Sequence, residues 1–302
     1  MAPRLILEVR WGKLAGTKAV LSPGSTLRVG RTDLSDLALP YDGQMSREHF
    51  ALSWDGASAT LRDLGSATGT MLDGQVIERD EEAEVNHGGW IEAGETHFMV
   101  YMEGFTPAPD EGEEDGEEGG DAEAAREARE QERKRRKAAE RALSELREEA
   151  RREPLYAVLD GARDERILEL LREHVEAHRS LYDGTEGETF EEVAPYLAGP
   201  MREDSALLDK LVMEGWGKRW GIYCRSRERF AEIRRHWRRF LMVELEGEGE
   251  RVYFRFYDPW VLRVFWDTCD EGQRRDIVGG LFSLWGESGK ELIQRYRNEN
   301  PR

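Results

Sequence analysis

Cysteine is scarce in this sequence, and long hydrophobic runs are missing. The 302 residues include two cysteines, Cys224 and Cys269, and neither lies in a Cys-x-x-Cys pair or a metal-ligand cluster. This argues against a disulfide-stapled secreted fold and favours a reducing compartment. No apolar run approaches the roughly 20 residues of a membrane helix, and the N-terminus lacks the basic segment and apolar core of a secretory signal. We therefore expect a cytoplasmic protein without a membrane partner.

Positive charge is also in deficit. The chain has 44 lysines and arginines against 62 aspartates and glutamates, which gives a formal net charge of −18. Nucleic acids and anionic membranes require a basic footprint, so we expect neither as a partner. The sequence has no nucleophile elbow, Walker loop or paired acid–base signature, and we expect no catalysis, no cofactor and no metal. Its length predicts about two domains.

Residues 1–106 contain many short strand-like runs separated by Gly and Asp turns, which is typical of an all-β sandwich. Three motifs lie at the ends of these runs: a Gly30-Arg31 pair, a Ser-x-x-His over residues 46–49, and a Gly-Ser-x-x-Gly-Thr over residues 65–70. Loops at strand ends can converge on one point. A guanidinium fork, a hydroxyl and the N–H groups of a Gly-rich turn together suit a phosphate.

A structural explanation of the same motifs stays open. Gly30 and Gly69 could serve only turn geometry, and Arg31 could pair with Asp33 or Asp36.

The order and spacing of the three motifs closely resemble the forkhead-associated (FHA) family of phosphothreonine-binding modules, over roughly residues 5–103. The resemblance implies that Arg31 and Ser46 contact the phosphate and that Arg47 adds a second basic contact. It also implies that His49 braces the loop structurally. The partner would be a threonine-phosphorylated protein.

The last motif departs from the family pattern. The family usually has Asn before the Gly of this motif, and that Asn bonds the ligand backbone. Here the position is Thr68, whose side chain is shorter, followed by Gly69. Gly30 and Gly69 are assigned to the structural support of the phosphate site.

Two highly charged segments follow the first domain. Residues 107–121 are rich in Glu, Asp and Gly, and we expect a disordered acidic linker because too few apolar residues are present to offset the entropy of ordering. Residues 122–152 lack Gly and Pro and are rich in Ala, Glu and Arg, which predicts a helix. Its apolar stripe is short, so we interpret it as a charged, solvated spacer whose last turns could dock on the next domain. A coiled-coil dimer is the alternative.

Residues 153–302 mix strand and helix patterns and predict an α+β domain. Residues 155–160 read as a strand. Asp164 can cap a helix, Asp204 or Ser205 can cap a second one, and Pro259 begins a later one. Residues 241–257 read as a β-hairpin around Gly247-Glu248-Gly249.

Three segments of this domain look like the adaptor-chaperones of bacterial type VI secretion systems: residues 155–164, 215–222 and 254–262. The resemblance covers roughly residues 154–285. It implies that the domain binds a toxic effector and helps load it on the VgrG-type spike. The adaptor-domain motif comprises Asp160, Arg163, Trp216, Arg255, Tyr257 and Asp258.

The motif residues have a structural interpretation that we favour over direct partner contact. Asp160, Arg163, Arg255 and Asp258 would form an internal ion-pair network, because buried charges need partners. Trp216, Trp220 and Trp260 could be partner anchors or core residues.

Two other side-chain patterns carry weaker hypotheses. His174 and His178 are four residues apart on a predicted helix, a spacing that could bind a metal, but no third ligand is evident and a solvated face is favoured. The Arg-rich segment 227–239 could bind nucleic acid, but an acidic protein or solvent is the better match.

Two functional hypotheses follow. The first is a type VI effector adaptor with a fused phosphothreonine-reading module. The second is a phosphothreonine-dependent signalling scaffold without an effector-loading role.

Overall fold

The computed structural model describes residues 3–79, 81–107, 122–182, 190–244, 251–288 and 293–296. The predicted linker lies outside these residues, apart from Pro107. The chain divides into two compact units: Met1–Pro107 with Arg172–Ala177, and Ala108–Leu171 with His178–Arg302. The predicted domain ranges anticipated neither the placement of Arg172–Ala177 in the first unit nor the placement of residues 122–152 in the second.

The first unit is built from short strands. They are β1 Leu5–Trp11, β2 Lys18–Leu21, β3 Ser25–Gly30, β4 Leu37–Ala38, β5 Phe50–Trp54, β6 Ala59–Asp63, β7 Thr70–Leu72, β8 Gln75–Ile77, β9 Glu82–Val85, β10 Trp90–Ala93 and β11 Thr96–Met102.

These strands form two sheets, as the sandwich prediction requires. One sheet has the order β2-β1-β11-β10-β7-β8, and the other has the order β4-β3-β5-β6-β9. Alternate residues of each strand enter the core between the sheets, for example Leu5, Leu7 and Val9 of β1. Phe50 and Phe98 meet edge to face there, with their ring centroids 5.4 Å apart. The loops that carry the three sequence motifs therefore start from a rigid, buried scaffold.

The elements from residue 122 onward alternate between helices and strands. They are α1 Ala122–Arg152, β12 Leu155–Asp160, α2 Arg166–Arg172, β13 His178–Ser180, a 3₁₀ turn Glu191–Val193, β14 Pro195–Met201, α3 Ala206–Gly215, β15 Gly221–Arg225, α4 Phe230–Arg238, β16 Met242–Glu244, β17 Arg251–Tyr253, α5 Pro259–Thr268, α6 Glu271–Val278, β18 Ser283–Glu287 and β19 Ile293–Tyr296.

The main sheet of the second unit has the order β13-β14-β12-β15-β18-β19 and is antiparallel throughout its described pairs. Its central strand β12 is buried along its whole length. Leu155 and Leu159 face a core that includes residues of α1, α2 and α3, whereas Tyr156 and Val158 face a core that includes residues of α4, α5 and α6. The sheet is therefore covered by helices on both faces.

Helix α1 differs from the charged, solvated spacer that we expected from the sequence. Its C-terminal half buries six side chains in the core of the second unit: Ala138, Ala139, Ala142, Leu143, Leu146 and Ala150. Arg147 also pairs with Asp209 of α3 at 2.5 Å. The short apolar stripe is thus covered by the chain's own core, and the helix is a layer of this unit rather than a solvated spacer. A coiled-coil dimer would need the same apolar stripe at its interface, but this stripe is already buried in the core of the second unit.

Helix caps were predicted better than element lengths. The Ser205 hydroxyl accepts from the N–H of Leu208 at the start of α3, and Pro259 follows the capping Asp258 in α5. The predicted hairpin is present as β16 and β17, but its second strand ends at Tyr253 instead of reaching Tyr257. None of the described helices combines the length and hydropathy needed to cross a membrane.

Candidate functional site

Gly30 ends β3 and allows the first two motif loops to meet. A Cβ atom at this position would lie 2.3 Å from the carbonyl oxygen of Arg47, so any larger residue would push the loops apart. Next along the chain, the N–H of Arg31 donates to the carbonyl oxygen of Ser46 at 2.8 Å. Gly30 therefore serves a close approach between backbones rather than the turn geometry considered from the sequence.

The guanidinium of Arg31 is exposed and anchored at one nitrogen. Its Nε donates to the carbonyl oxygen of Met45 at 3.1 Å. Asp36 instead accepts from the N–H of Arg28 at 2.8 Å, and no ion pair joins Arg31 to an acid within the described residues. The pairing with Asp33 or Asp36 considered above is therefore not seen, and the two terminal nitrogens of Arg31 can serve an anion.

His49 is fully buried and links two of the motif loops. Its Nδ1 accepts from the N–H of Ser46 at 3.0 Å, which leaves the proton on Nε2 to be donated to the carbonyl oxygen of Gly69 at 2.9 Å. The Ser46 hydroxyl in turn accepts from the N–H of Ala67 at 2.9 Å. The second and third motifs are thus held together at the edge where Arg31 lies.

Thr68 and Arg47 are both exposed beside these contacts. The Thr68 hydroxyl donates to the carbonyl oxygen of Gln44 at 3.2 Å. Its lone pairs can therefore accept from a ligand N–H. Gly69 has a φ of 83°, a left-handed conformation that favours glycine.

Two aspartates that the sequence reasoning missed hold these loops in place. The carboxylate of Asp42 accepts from the N–H groups of Gln44 and Met45, at 2.9 and 3.0 Å. It also accepts from the Glu95 N–H at 2.9 Å and the Thr96 hydroxyl at 2.7 Å. Asp42 therefore fixes the loop that leads into Ser46.

Asp63 does the same for the third motif. Its Oδ1 accepts from the N–H groups of Gly65 and Ser66, each at 2.8 Å. Its Oδ2 accepts from the hydroxyls of Ser66 and Thr70, each at 2.6 Å. Burial alone would raise the pKa of this carboxyl, but the four hydrogen bonds outweigh it and lower the pKa. An Asp two residues before a Gly-Ser pair is the sequence signal that could have predicted this turn.

In the second unit, the predicted ion-pair network is present. Asp160 is buried and accepts from Arg255, and the Nε of Arg163 lies 3.4 Å from its Oδ2. The other end of Arg163 pairs with the buried Asp258, which also pairs with Arg219 at 3.1 Å. Each buried carboxylate thus has at least two guanidinium partners, and the network joins β12 to the start of α5.

The aromatic residues of the adaptor-like motif fall into two groups. Trp216, Trp220 and Tyr257 are buried core residues, and the Tyr257 hydroxyl lies 3.1 Å from that of Tyr253. Trp260 is 52% exposed. Of the three tryptophans considered as anchors, Trp260 is the one that a partner could reach.

Two weaker hypotheses concerned a metal site at His174 and His178 and a binding role for the Arg-rich segment 227–239. Helix α2 ends at Arg172, and His178 begins β13, so His174 and His178 do not share a helix face. Both side chains are buried, so the favoured solvated-face interpretation was wrong, as was the metal-site geometry. Within the described residues, no group of three or more potential ligands could hold a metal. In α4, Arg234 donates to the carbonyl oxygens of Ser180 and Tyr182, both at 2.7 Å. Part of the Arg-rich segment therefore satisfies the protein's own backbone.

Comparisons with known proteins address the first unit directly. The family model described as "FHA domain" matches residues 27–94, which include all three motif loops. The N-terminal region contains an FHA domain. An FHA domain-containing protein of Arabidopsis thaliana is 30% identical over 95 residues, or 32% of this chain. The chain spans 25% of the length of this curated relative.

Solved structures are similar to the same region. The FHA domain of the CT664 protein from Chlamydia trachomatis is 27% identical, with 32% of this chain and 96% of that chain covered and a TM-score of 0.30. The FHA domain of a hypothetical protein of Arabidopsis thaliana is 30% identical, with 37% and 92% covered and a TM-score of 0.32.

A second family model, described as "Domain of unknown function (DUF4123)", matches residues 155–276. The range runs from β12 into α6 and includes the whole ion-pair network. The description assigns no activity or partner to this region.

Proposed function

We propose that the FHA domain binds a phosphothreonine-containing segment of a partner protein. The main support is the state of the Arg31 guanidinium. It is held by the Met45 carbonyl, it is exposed, and it has no acidic partner in the described chain. The Ser46 hydroxyl accepts from Ala67 and so keeps its own proton for a phosphate oxygen. Arg47 adds positive charge, and Thr68 offers an acceptor to the ligand backbone.

Binding of fluorescein-labelled degenerate phosphothreonine peptides to the full chain, measured by anisotropy, tests this proposal. Unphosphorylated peptides of the same composition should not bind. Hydrogen bonds to charged groups contribute about 1.5–3 kcal/mol, so Arg31→Ala should weaken binding by about 10- to 150-fold. Arg62→Ala is the matched control, because Arg62 is exposed on β6 opposite Glu82, outside the three motif loops. Equal affinities of Arg31→Ala and the native chain would refute the site.

We further propose that the second unit acts as a type VI secretion adaptor that binds an effector and helps load it on a VgrG-type spike. The support is the resemblance of residues 155–164, 215–222 and 254–262 to that family, together with the DUF4123 match over residues 155–276. Catalysis is not part of this proposal.

Affinity purification of the tagged full chain from a bacterium that secretes through a type VI system tests the adaptor role. A toxin-like effector and a spike protein should co-purify and should remain when Arg31 is replaced by Ala. Recovery of only threonine-phosphorylated proteins, all lost with Arg31→Ala, would instead support the signalling scaffold.

A further inference from the structure

A cleft of about 540 Å³ lies in the second unit between four elements. Its walls come from α1, the turn after α3, the start of α5 and the end of β18. Four of its lining residues are bases, Lys134, Arg135, Arg219 and Arg263, and the acid that faces them is Glu287. We call this the basic cleft, with Trp260 at its wall. Its volume falls within the roughly 300–1,000 Å³ of ligand-binding pockets.

The bases of the basic cleft are only partly neutralised, and Arg219 shares the one carboxylate of Asp258 with Arg163. Lys134 and Arg135 pair with acids of their own helix, at 2.9 and 2.6 Å, and such surface pairs are weak and screened. Arg263 donates to the carbonyl oxygen of Ser288 at 2.6 Å and has no acidic partner in the described part of the chain. The Glu287 carboxyl accepts from the Gly217 N–H at 3.0 Å. Burial raises the pKa of Glu287 to about 7, so it carries only part of a negative charge at neutral pH.

The backbone of Arg219 is strained beside this cleft. Two non-glycine residues of the described chain have positive φ, Asp73 at 49° and Arg219 at 56°. Asp73 precedes Gly74 in the hairpin turn between β7 and β8, where this conformation is common. Arginine is not favoured in this left-handed conformation, and the backbone of such a residue is strained. Strained backbone conformations are found most often at binding sites. In this protein, the strained conformation places Arg219 in the wall of the cleft.

Trp260 gives the cleft an apolar contact surface. It lies in the first turn of α5 and is 52% exposed, although the two tryptophans nearest in sequence to Arg219 are buried. Tryptophan and arginine are the residue types that dominate the energetics of protein interfaces. An exposed Trp next to Arg263, whose guanidinium has no acidic partner in the described chain, and to Arg219, which shares Asp258 with Arg163, is therefore suited to a chain that offers both an apolar side chain and carboxylates.

We propose that the basic cleft binds a short peptide segment of a partner protein in which Asp or Glu residues flank a large apolar side chain. Arg263 and Arg219 bind the carboxylates, and Trp260 packs against the apolar side chain. The inference goes beyond both proposed functions, since it requires neither phosphothreonine nor a secretion spike.

An array of synthetic heptapeptides, varied in acidic content and in one central Leu or Phe, tests the site. The probe is the full chain with Arg31→Ala, which removes the FHA ligand site from the experiment. Peptides with two or more acids and a central apolar residue should bind. Arg263→Glu and Trp260→Ala should each weaken that binding at least tenfold. Arg275→Glu is the control, because Arg275 is exposed on α6 and does not line the cleft.

The comparison also separates a specific site from general electrostatics. Arg275→Glu should leave affinity within twofold of the parent chain. An equal loss in Arg275→Glu and Arg263→Glu would overturn the proposal, and so would equal binding of lysine-containing peptides. Hydrogen exchange in β12 checks that the variants are folded. If Arg263→Glu alters that exchange, Arg263→Gln replaces it, and unchanged affinity of Arg263→Gln would refute the role of Arg263.

Discussion

Replacing Asp63 by Ala should damage the FHA site without touching any proposed ligand contact. Asp63 is only 4% exposed, and its carboxylate accepts four hydrogen bonds from the loop that carries Thr68 and Gly69. The substitution leaves the fully buried Thr70 hydroxyl without this acceptor. It also releases the N–H groups of Gly65 and Ser66, which lie closer to water.

The magnitude follows from these groups. An orphaned buried hydroxyl costs about 1–3 kcal/mol, and each loop N–H contributes about 0.5–1.5 kcal/mol net. Removing the buried carboxylate also removes its desolvation cost, so we expect a loss of about 2–4 kcal/mol in local stability. Phosphopeptide affinity should fall about tenfold or more, because binding must then also order the loop. That ordering should reduce the binding free energy by at least about 1.4 kcal/mol.

Asp55→Ala supplies a matched control. Asp55 forms the same kind of turn, accepting from the N–H groups of Ala57 and Ser58 at 2.7 Å each, but it is exposed between β5 and β6. Hydrogen exchange of β5 and β6 in the full chain measures local stability, and anisotropy measures affinity. Asp55→Ala should leave affinity unchanged. If Asp63→Ala binds phosphopeptide as tightly as Asp55→Ala, the loop does not depend on Asp63 and the positioning argument is wrong.

Two further predictions concern packing and pH. Leu146 is fully buried, so Leu146→Ala should destabilise the second unit by about 2–5 kcal/mol, measured as faster hydrogen exchange in β12. The control is Glu145→Ala at the exposed neighbour, which should change stability by no more than about 0.5 kcal/mol. Equal effects of the two substitutions would contradict the burial of α1. Because the folded-state pKa of Asp63 is lowered, its stabilisation is present above its unfolded pKa of about 3.9 and is lost as pH falls through the lower folded value. The stability difference between the native chain and Asp63→Asn should therefore be constant near neutral pH and should decrease as pH falls below about 4. A difference that does not change with pH in acid would refute this linkage.

The FHA loops were predictable because the order and spacing of their three motifs resemble those of a known family. Gly30, Ser46 and His49 belong to these motifs, so the resemblance implied that their loops form one site. Asp63 accepts from nearby residues, and Asp42 accepts both from its own loop and from Glu95 and Thr96. An Asp in a loop is common, however, and neither residue stood out from the many acids of this chain. The exposure of Arg31 depended on where Asp36 points, which only the three-dimensional structure shows.

The second unit was harder to predict because its decisive interactions are long-range. Asp160 and Arg255 are 95 residues apart, and only the need of buried charges for partners suggested their pairing. The stripe on α1 consists largely of alanines, which are too small to signal burial by hydrophobicity alone. Trp216, Trp220 and Trp260 are indistinguishable as sequence letters, and the fold buries two and exposes the third. The pair His174 and His178 failed because the helix ends before either residue.

The two candidate sites share one physical device. In each site, one N–H of a guanidinium donates to a backbone carbonyl oxygen, from Arg31 to Met45 and from Arg263 to Ser288. The other N–H groups of the guanidinium can then bind an anion. A chain with a net charge of −18 repels acidic partners at long range, but at physiological salt this repulsion is screened beyond about 8 Å. Selectivity therefore comes from contact geometry, where an arginine already fixed in place loses less conformational entropy on binding than a free one. A phosphate at Arg31 and carboxylates at Arg263 can thus be bound by a protein whose overall charge opposes both.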